Sequence, residues 1–236
     1  ISDKDNLSVS GISGSLEATA GGDLTVKGGY ETTAGGLVAK AGGAIRQDGG
    51  VVVRGAMSLD AGGDIGLGAA NNDFGGGVTV VQGGKVTLWD KNDLTVGGTS
   101  KSLDAEAVGG NLTLYGNQVT EGNLVAKAKG SVREVGALTV AGVTTVEAGT
   151  DVGLGDSNNE FVGAVKVTAG GTANVGDRSD LALSGSSGSL TARAAGDVNV
   201  GPYVTQKDLN VTAGGAVKET ETVTAFASQS QTEMET

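Results

Sequence analysis

Runs in which small apolar residues alternate with polar ones, each closed by a glycine-rich corner, return along almost the whole chain. SLEATAGGDLTV from Ser15, LVAKAGGAI from Leu37, SLDAGGDIGL from Ser58 and VTVVQGGKVTL from Val78 share this form. So do SLDAEAVGGNLTL from Ser102, LVAKAKGSV from Leu124, TVEAGTDVGL from Thr145 and VKVTAGGTANV from Val165. In one of them Leu124, Ala126 and Ala128 fall on one face, with Val125, Lys127 and Lys129 on the other. A period of two predicts a strand with one buried face, and the abundant Val and Thr agree. No stretch spaces its apolar residues as a helix does, and glycine at this density would cost a helix about 1 kcal/mol per residue. The paired glycines, among them Gly42-Gly43, Gly109-Gly110 and Gly214-Gly215, mark corners where the backbone must bend and neighbouring coils approach closely.

The pattern has a second, longer period. Ser58–Val96 is said again from Thr145, and Leu59/Val146, Ile65/Val152, Phe74/Phe161 and Leu94/Leu181 all stand 87 residues apart (146 − 59, for example). Leu16, Leu103 and Leu190 share that register. Repetition at fixed spacing implies stacked units, each burying its apolar face on the next. Four motifs per 87 residues give coils of about 22 residues. Leucine-rich repeats share the period but need denser Leu and an Asn ladder, which are missing. The expected fold is all-β, a right-handed parallel β-helix of ten to eleven coils, about 50 Å long at the strand spacing. Residues 1–218 form this shaft; 219–236, which lose the motif, supply a last strand near 225–227 or a frayed tail.

Composition narrows the chemistry. Glycine accounts for 44 of 236 residues and aromatics for seven, so the core is thin and aliphatic. There is no Cys and no His, which removes thiolate chemistry and the commonest metal ligand and general base. A net charge of −11 repels nucleic acid and discourages self-association, so a monomer without a nucleic-acid partner is expected. No apolar run reaches the ~18 residues of a membrane span. The opening ISDKDNLSVS has no signal-peptide pattern, and the chain reads as a piece of a longer protein.

Coils of the form SLxAxAGGxLxV and LVAKAGGAI, in an acidic, Cys-free, Gly- and Val-rich chain, resemble the filamentous haemagglutinin family of large exoproteins of Gram-negative bacteria. The resemblance runs from about Leu7 to Val217 and rests on repeat texture. It implies a β-helical shaft in a secreted, cell-surface protein exported through an outer-membrane partner that engages a region outside this stretch. It implies adhesion to host cells as a virulence function, or service as the stalk of a contact-dependent toxin-delivery protein. The family's NPN-type secretion motifs are missing from this stretch, as is an RGD tripeptide.

Polysaccharide-degrading enzymes also use β-helices, and the repeated acids are what such a third reading would rest on. Asp60 with Asp64 recurs as Glu147 with Asp151, and Asp90 with Asp93 as Asp177 with Asp180. Acids that follow the repeat, beside Gly, Asn or a basic residue, fit turn chemistry better than catalysis, with weak Ca²⁺ coordination at an acidic corner as the open alternative. No catalytic residue, cofactor or metal ligand is assigned, and no activity is expected. AGGD is not a calcium-binding nonapeptide, and no phosphate-cradling glycine loop opens a helix. Aromatics that break the repeat are the candidate contacts for a host glycan or protein receptor. These are Trp89, whose counterpart is Gly176, and Tyr30, Tyr115 and Tyr203, placed in loops between coils. The competing reading of Trp89 is a local cover over a coil corner.

Overall fold

The computed structural model describes residues 1–226 and, by its backbone, the strand Gln229–Glu233. Alternation and glycine corners produce what they predict. Each coil lays one strand in each of two long sheets, and every described strand pair, such as Leu16–Ala20 on Leu37–Ala41, is parallel. One sheet runs from Ser2–Asp3 to Gln229–Glu233, the other from Leu7–Val9 to Val217–Glu219. The stack is a parallel β-solenoid of about eleven turns. Between the sheets the inward positions form one continuous core, to which a single coil contributes Leu37, Ala39, Ala41, Ile45, Val51 and Val53. Each Leu, Ile or Val buried this way stabilises the fold by about 1.5–3 kcal/mol, and the next coil repeats the arrangement.

The coil is shorter than the motif count suggests. Outside one bulge, register partners one coil apart differ by 17 to 21 residues, as in Leu7 and Leu24 (24 − 7) or Leu103 and Leu124 (124 − 103). An 87-residue unit therefore spans four and a half coils rather than four. Leu16–Ala20 and Met57–Ala61 lie in the first sheet, and their counterparts Ser102–Ala107 and Thr144–Ala148 lie in the second. Successive units thus present equivalent residues on opposite faces of the shaft.

Short third strands follow the same rule. Ile12–Ser13, Glu31–Thr32, Val52–Val53 and Asp73–Phe74 form a file where the chain passes from the second sheet to the first. Gln118–Thr120, Leu138–Val140 and Glu160–Phe161 stack where it passes from the first to the second, on the other edge. The duplication reaches the backbone torsions. Gly11, Gly98 and Gly185 have φ of 98°, 123° and 133°, each 87 residues from the next.

A strand stands at Val223–Ala225, paired with Val198–Thr205; it shares only Ala225 with the 225–227 expected for the last strand, and another follows it. Gln229–Glu233 continues the first sheet on Leu209–Ala213. Residues 227–228 and 234–236, on which the expectation of a frayed tail partly falls, lie outside the described residues.

Candidate functional site at the duplicated corners

Corner Asp and Asn side chains are occupied by the main chain of the coil above. Asp64 Oδ1 accepts from Lys85 N at 2.8 Å, Asp93 Oδ1 from Asn111 N at 2.7 Å, Asp151 Oδ1 from Thr172 N at 2.8 Å and Asp180 Oδ1 from Asp197 N at 2.7 Å. The preceding glycine is what lets the oxygen in. A Cβ on Gly84 would sit 2.4 Å from Asp64 Oδ1, and one on Gly171 2.3 Å from Asp151 Oδ1. The turn bond expected of the repeated acids forms at Asp90 and Asp177, which accept from Asn92 N and Ser179 N two residues on, whereas at Asp64, Asp93, Asp151 and Asp180 the bond runs between coils. Of the remaining paired acids, Glu147 meets Lys127 at 3.4 Å, and Asp60 is the register neighbour of Lys40.

A buried polar centre, missed at the level of sequence, lies deeper in each unit. Asn72 is fully buried; its amide donates to Leu67 O at 2.9 Å and Trp89 O at 3.1 Å, and its oxygen accepts from Val51 N at 3.0 Å. Gln47 closes the arrangement with reciprocal amide bonds of 2.8 and 3.0 Å. Beside it buried Asp90 accepts from Phe74 N at 2.5 Å and Asn92 N at 2.6 Å. The second unit repeats this with Asn159, which donates to Leu154 O and accepts from Leu138 N, and with Asp177, which accepts from Phe161 N and Ser179 N. Burial pushes the carboxyls of Asp90 and Asp177 up despite these bonds.

One partner changes: Gln47 is replaced by Glu134. Its oxygens accept from Asp156 N at 2.5 Å and Asn159 Nδ2 at 2.9 Å. Burial nevertheless raises its pKa to about 7, with the nearby Asp156 carboxylate adding to the rise. Only comparison across 87 residues exposes this position, since a lone Glu in a strand reads as solvated.

The sign of the effect is fixed. Below about pH 4.5 folded and unfolded chains both hold the proton. Between 4.5 and 7 the unfolded chain releases it first, so the folded state binds more protons and stability falls as pH rises; above 7 the loss is constant. At about 1.4 kcal/mol per pH unit over these 2.5 units the loss is bounded at about 3–4 kcal/mol, and contact with solvent reduces the expectation to about 2 kcal/mol. Glu134→Gln, which restores the Gln47 arrangement, should therefore stabilise the chain by about 2 kcal/mol at pH 8 and by little at pH 4. Urea unfolding at the two pH values reads the difference.

The aromatics divide. Tyr30 and Tyr203 are buried in the core, with hydroxyls bonded to Ser13 Oγ at 2.8 Å and Ser187 Oγ at 3.0 Å. Burial pushes the Tyr203 phenol up to about 12. Neither ring is available to a receptor, which corrects their placement as exposed contacts; Tyr203 lies within a strand, as does Tyr115. Tyr115 is half-buried and meets Thr79 Oγ1 at 2.5 Å. Trp89 is also half-buried, with its indole beside Gly68, whose added Cβ would lie 3.8 Å from Cδ2. Its Nε1 is buried with no hydrogen-bond partner. Trp89 thus packs against the coil below at Gly68 while the residue as a whole stays half-buried.

Among the described residues no three of His, Cys, Asp and Glu come together in a way that could hold a metal ion, and no helix is long and apolar enough to cross a membrane. The geometry offers acceptors turned toward main-chain amides and two outer faces that differ between units. The family described as repeats of unknown function (DUF5649) matches residues 28–81 and 103–168. No curated protein and no solved structure shows a significant match to the chain.

Proposed function

The chain belongs to this family of repeats of unknown function, and from that premise we propose that it is a shaft segment of a secreted, surface-displayed bacterial adhesin. Its task on this reading is mechanical: to hold other regions of a longer protein away from the cell. The observation that carries the reading is the pair of parallel ladders running from coil to coil along the described chain. Such a stack lengthens by adding coils, each contacting only its neighbours, without a new core. Main-chain amides at its corners are satisfied from within, which leaves few open segments for proteases. The repeat texture that resembles filamentous haemagglutinins supports a place outside the cell.

The test is accessibility. Antibodies raised against the folded chain should label intact producing cells, and protease added outside should remove the signal. Labelling only after permeabilisation would rule the surface reading out. On the same reading the chain releases no reducing ends from polysaccharides. Release that is lost in Asp90→Asn, with folding retained, would favour an enzyme.

A further inference from the structure

We propose that a hollow over Gly176 binds one indole-type side chain carried on an acidic segment of a partner polypeptide. The hollow, of about 220 Å³, is lined by Gly155, Ser157, Gly176, Asp177, Arg193 and Ala195. Eighty-seven residues earlier the same positions hold Gly68, Ala70, Trp89, Asp90, Glu106 and Val108. There the unit's own indole lies beside Gly68. The first unit thus shows what this backbone surface accommodates, and the second leaves a hollow there on the opposite face of the shaft, bordered over Gly155 by the Asn174 side chain where the first unit has Thr87. Its volume is below the ~300 Å³ at which pockets for whole small molecules begin, and suits one ring system anchored by a chain outside. The second unit cannot supply the ring from Gly176, because a Cβ there would lie 2.8 Å from Gly155 O.

The wall chemistry changes together with the loss of the ring. Trp89 buries an indole N–H that finds no acceptor, whereas Ser157 puts a hydroxyl on the wall where Ala70 stands in the first unit. In the coil above, Asp104 and Glu106 are replaced by Thr191 and Arg193. Two negative charges beside the ring thus give way to one positive charge. Arg193 is exposed, and while its main chain sits in the ladder between Gly176 and Thr212, its guanidinium makes no ion pair or hydrogen bond among the described residues. On a chain of net charge −11, a free guanidinium at the rim of an aromatic-sized hollow selects a ring with acidic neighbours. It also adds cation–π attraction to a ring seated beneath it.

The probe is a blocked tripeptide with tryptophan between two glutamates, titrated into ¹⁵N-labelled chain and followed by amide shifts. Saturable shifts should centre on Gly155, Gly176 and Ala195. Replacing the tryptophan by alanine should abolish saturation, and replacing the glutamates by lysines should weaken binding about 10-fold, as should Arg193→Glu, which installs the side chain natural to the first unit. Ser157→Ala should weaken it about 3-fold through loss of the acceptor. The assignment is overturned by equal binding of the alanine peptide, by undiminished binding to Arg193→Glu, by shifts centred elsewhere, or by no saturable shift. It is equally overturned if a neutral oligosaccharide or a second copy of the chain gives these shifts instead. None of these outcomes bears on the surface labelling that tests the shaft.

Discussion

Gly98→Ala is expected to destabilise the folded chain by about 4 kcal/mol, whereas Gly11→Ala, at the equivalent position 87 residues earlier, should cost only about 1 kcal/mol. Both glycines have positive φ, 98° at Gly11 and 123° at Gly98, so both substitutions carry the torsional cost of a Cβ in that region. The difference is the coil beneath. A Cβ on Gly98 would meet Val80 O at 1.8 Å, whereas one on Gly11 meets nothing within 4 Å. A main-chain carbonyl in a parallel ladder cannot yield as a side-chain tip can, so relief requires displacing the Val80 rung. Gly185, whose added Cβ would lie 1.8 Å from Val167 O, should behave as Gly98 does. Denaturant unfolding of the three variants reads the contrast. Equal losses at Gly11 and Gly98 would show that torsion alone, and not coil stacking, sets the requirement for glycine.

Asp90→Ala should cost about 3 kcal/mol, because it strips acceptors from two amides at once. Phe74 N belongs to the coil below and Asn92 N to the same corner, and both point at the buried carboxylate. Asp90→Asn keeps the shape but can offer only one oxygen, and its amide then faces an N–H, so about half the loss should remain. Asp177→Ala should match Asp90→Ala, since Phe161 N and Ser179 N stand in the same relation to it. The outcome also separates structure from chemistry: a carboxylate retained to satisfy the corner lowers unfolding midpoints when removed, whatever substrate is offered. A stability change below about 0.5 kcal/mol would leave a buried, doubly bonded carboxylate without a structural reason to be there.

The strands, the corners and the duplication were legible in the sequence because each rests on a local rule. Alternation in LVAKA names the inward face, glycine pairs name the corners, and the 87-residue echo names the unit. Coil length was not legible. Leu94–Ser100 is a strand of the first sheet followed at once by Ser102–Ala107 in the second. Counted as motifs, the two merge, and the half coil that turns the next unit to the opposite face disappears. The aromatics misled for a related reason. Tyr30 and Tyr203 break the repeat because they fill core space the repeat leaves, and a break in a pattern looks the same from outside whether the ring points in or out. Glu134 was invisible singly. Only beside Gln47 does it become a carboxylate placed where an amide fits.

The most direct test of the stacked shaft is a distance between two equivalent residues. Lys40 and Lys127 stand on outward strand positions 87 residues apart, one in each long sheet. The chain has no native Cys, so Lys40→Cys and Lys127→Cys can be spin-labelled without background and measured by double electron–electron resonance. Four and a half coils of ~4.8 Å, with labels leaving opposite sheets packed ~10 Å apart, predict roughly 30 Å or more. A separation near 19 Å, the span of four whole coils on one face, would contradict the account.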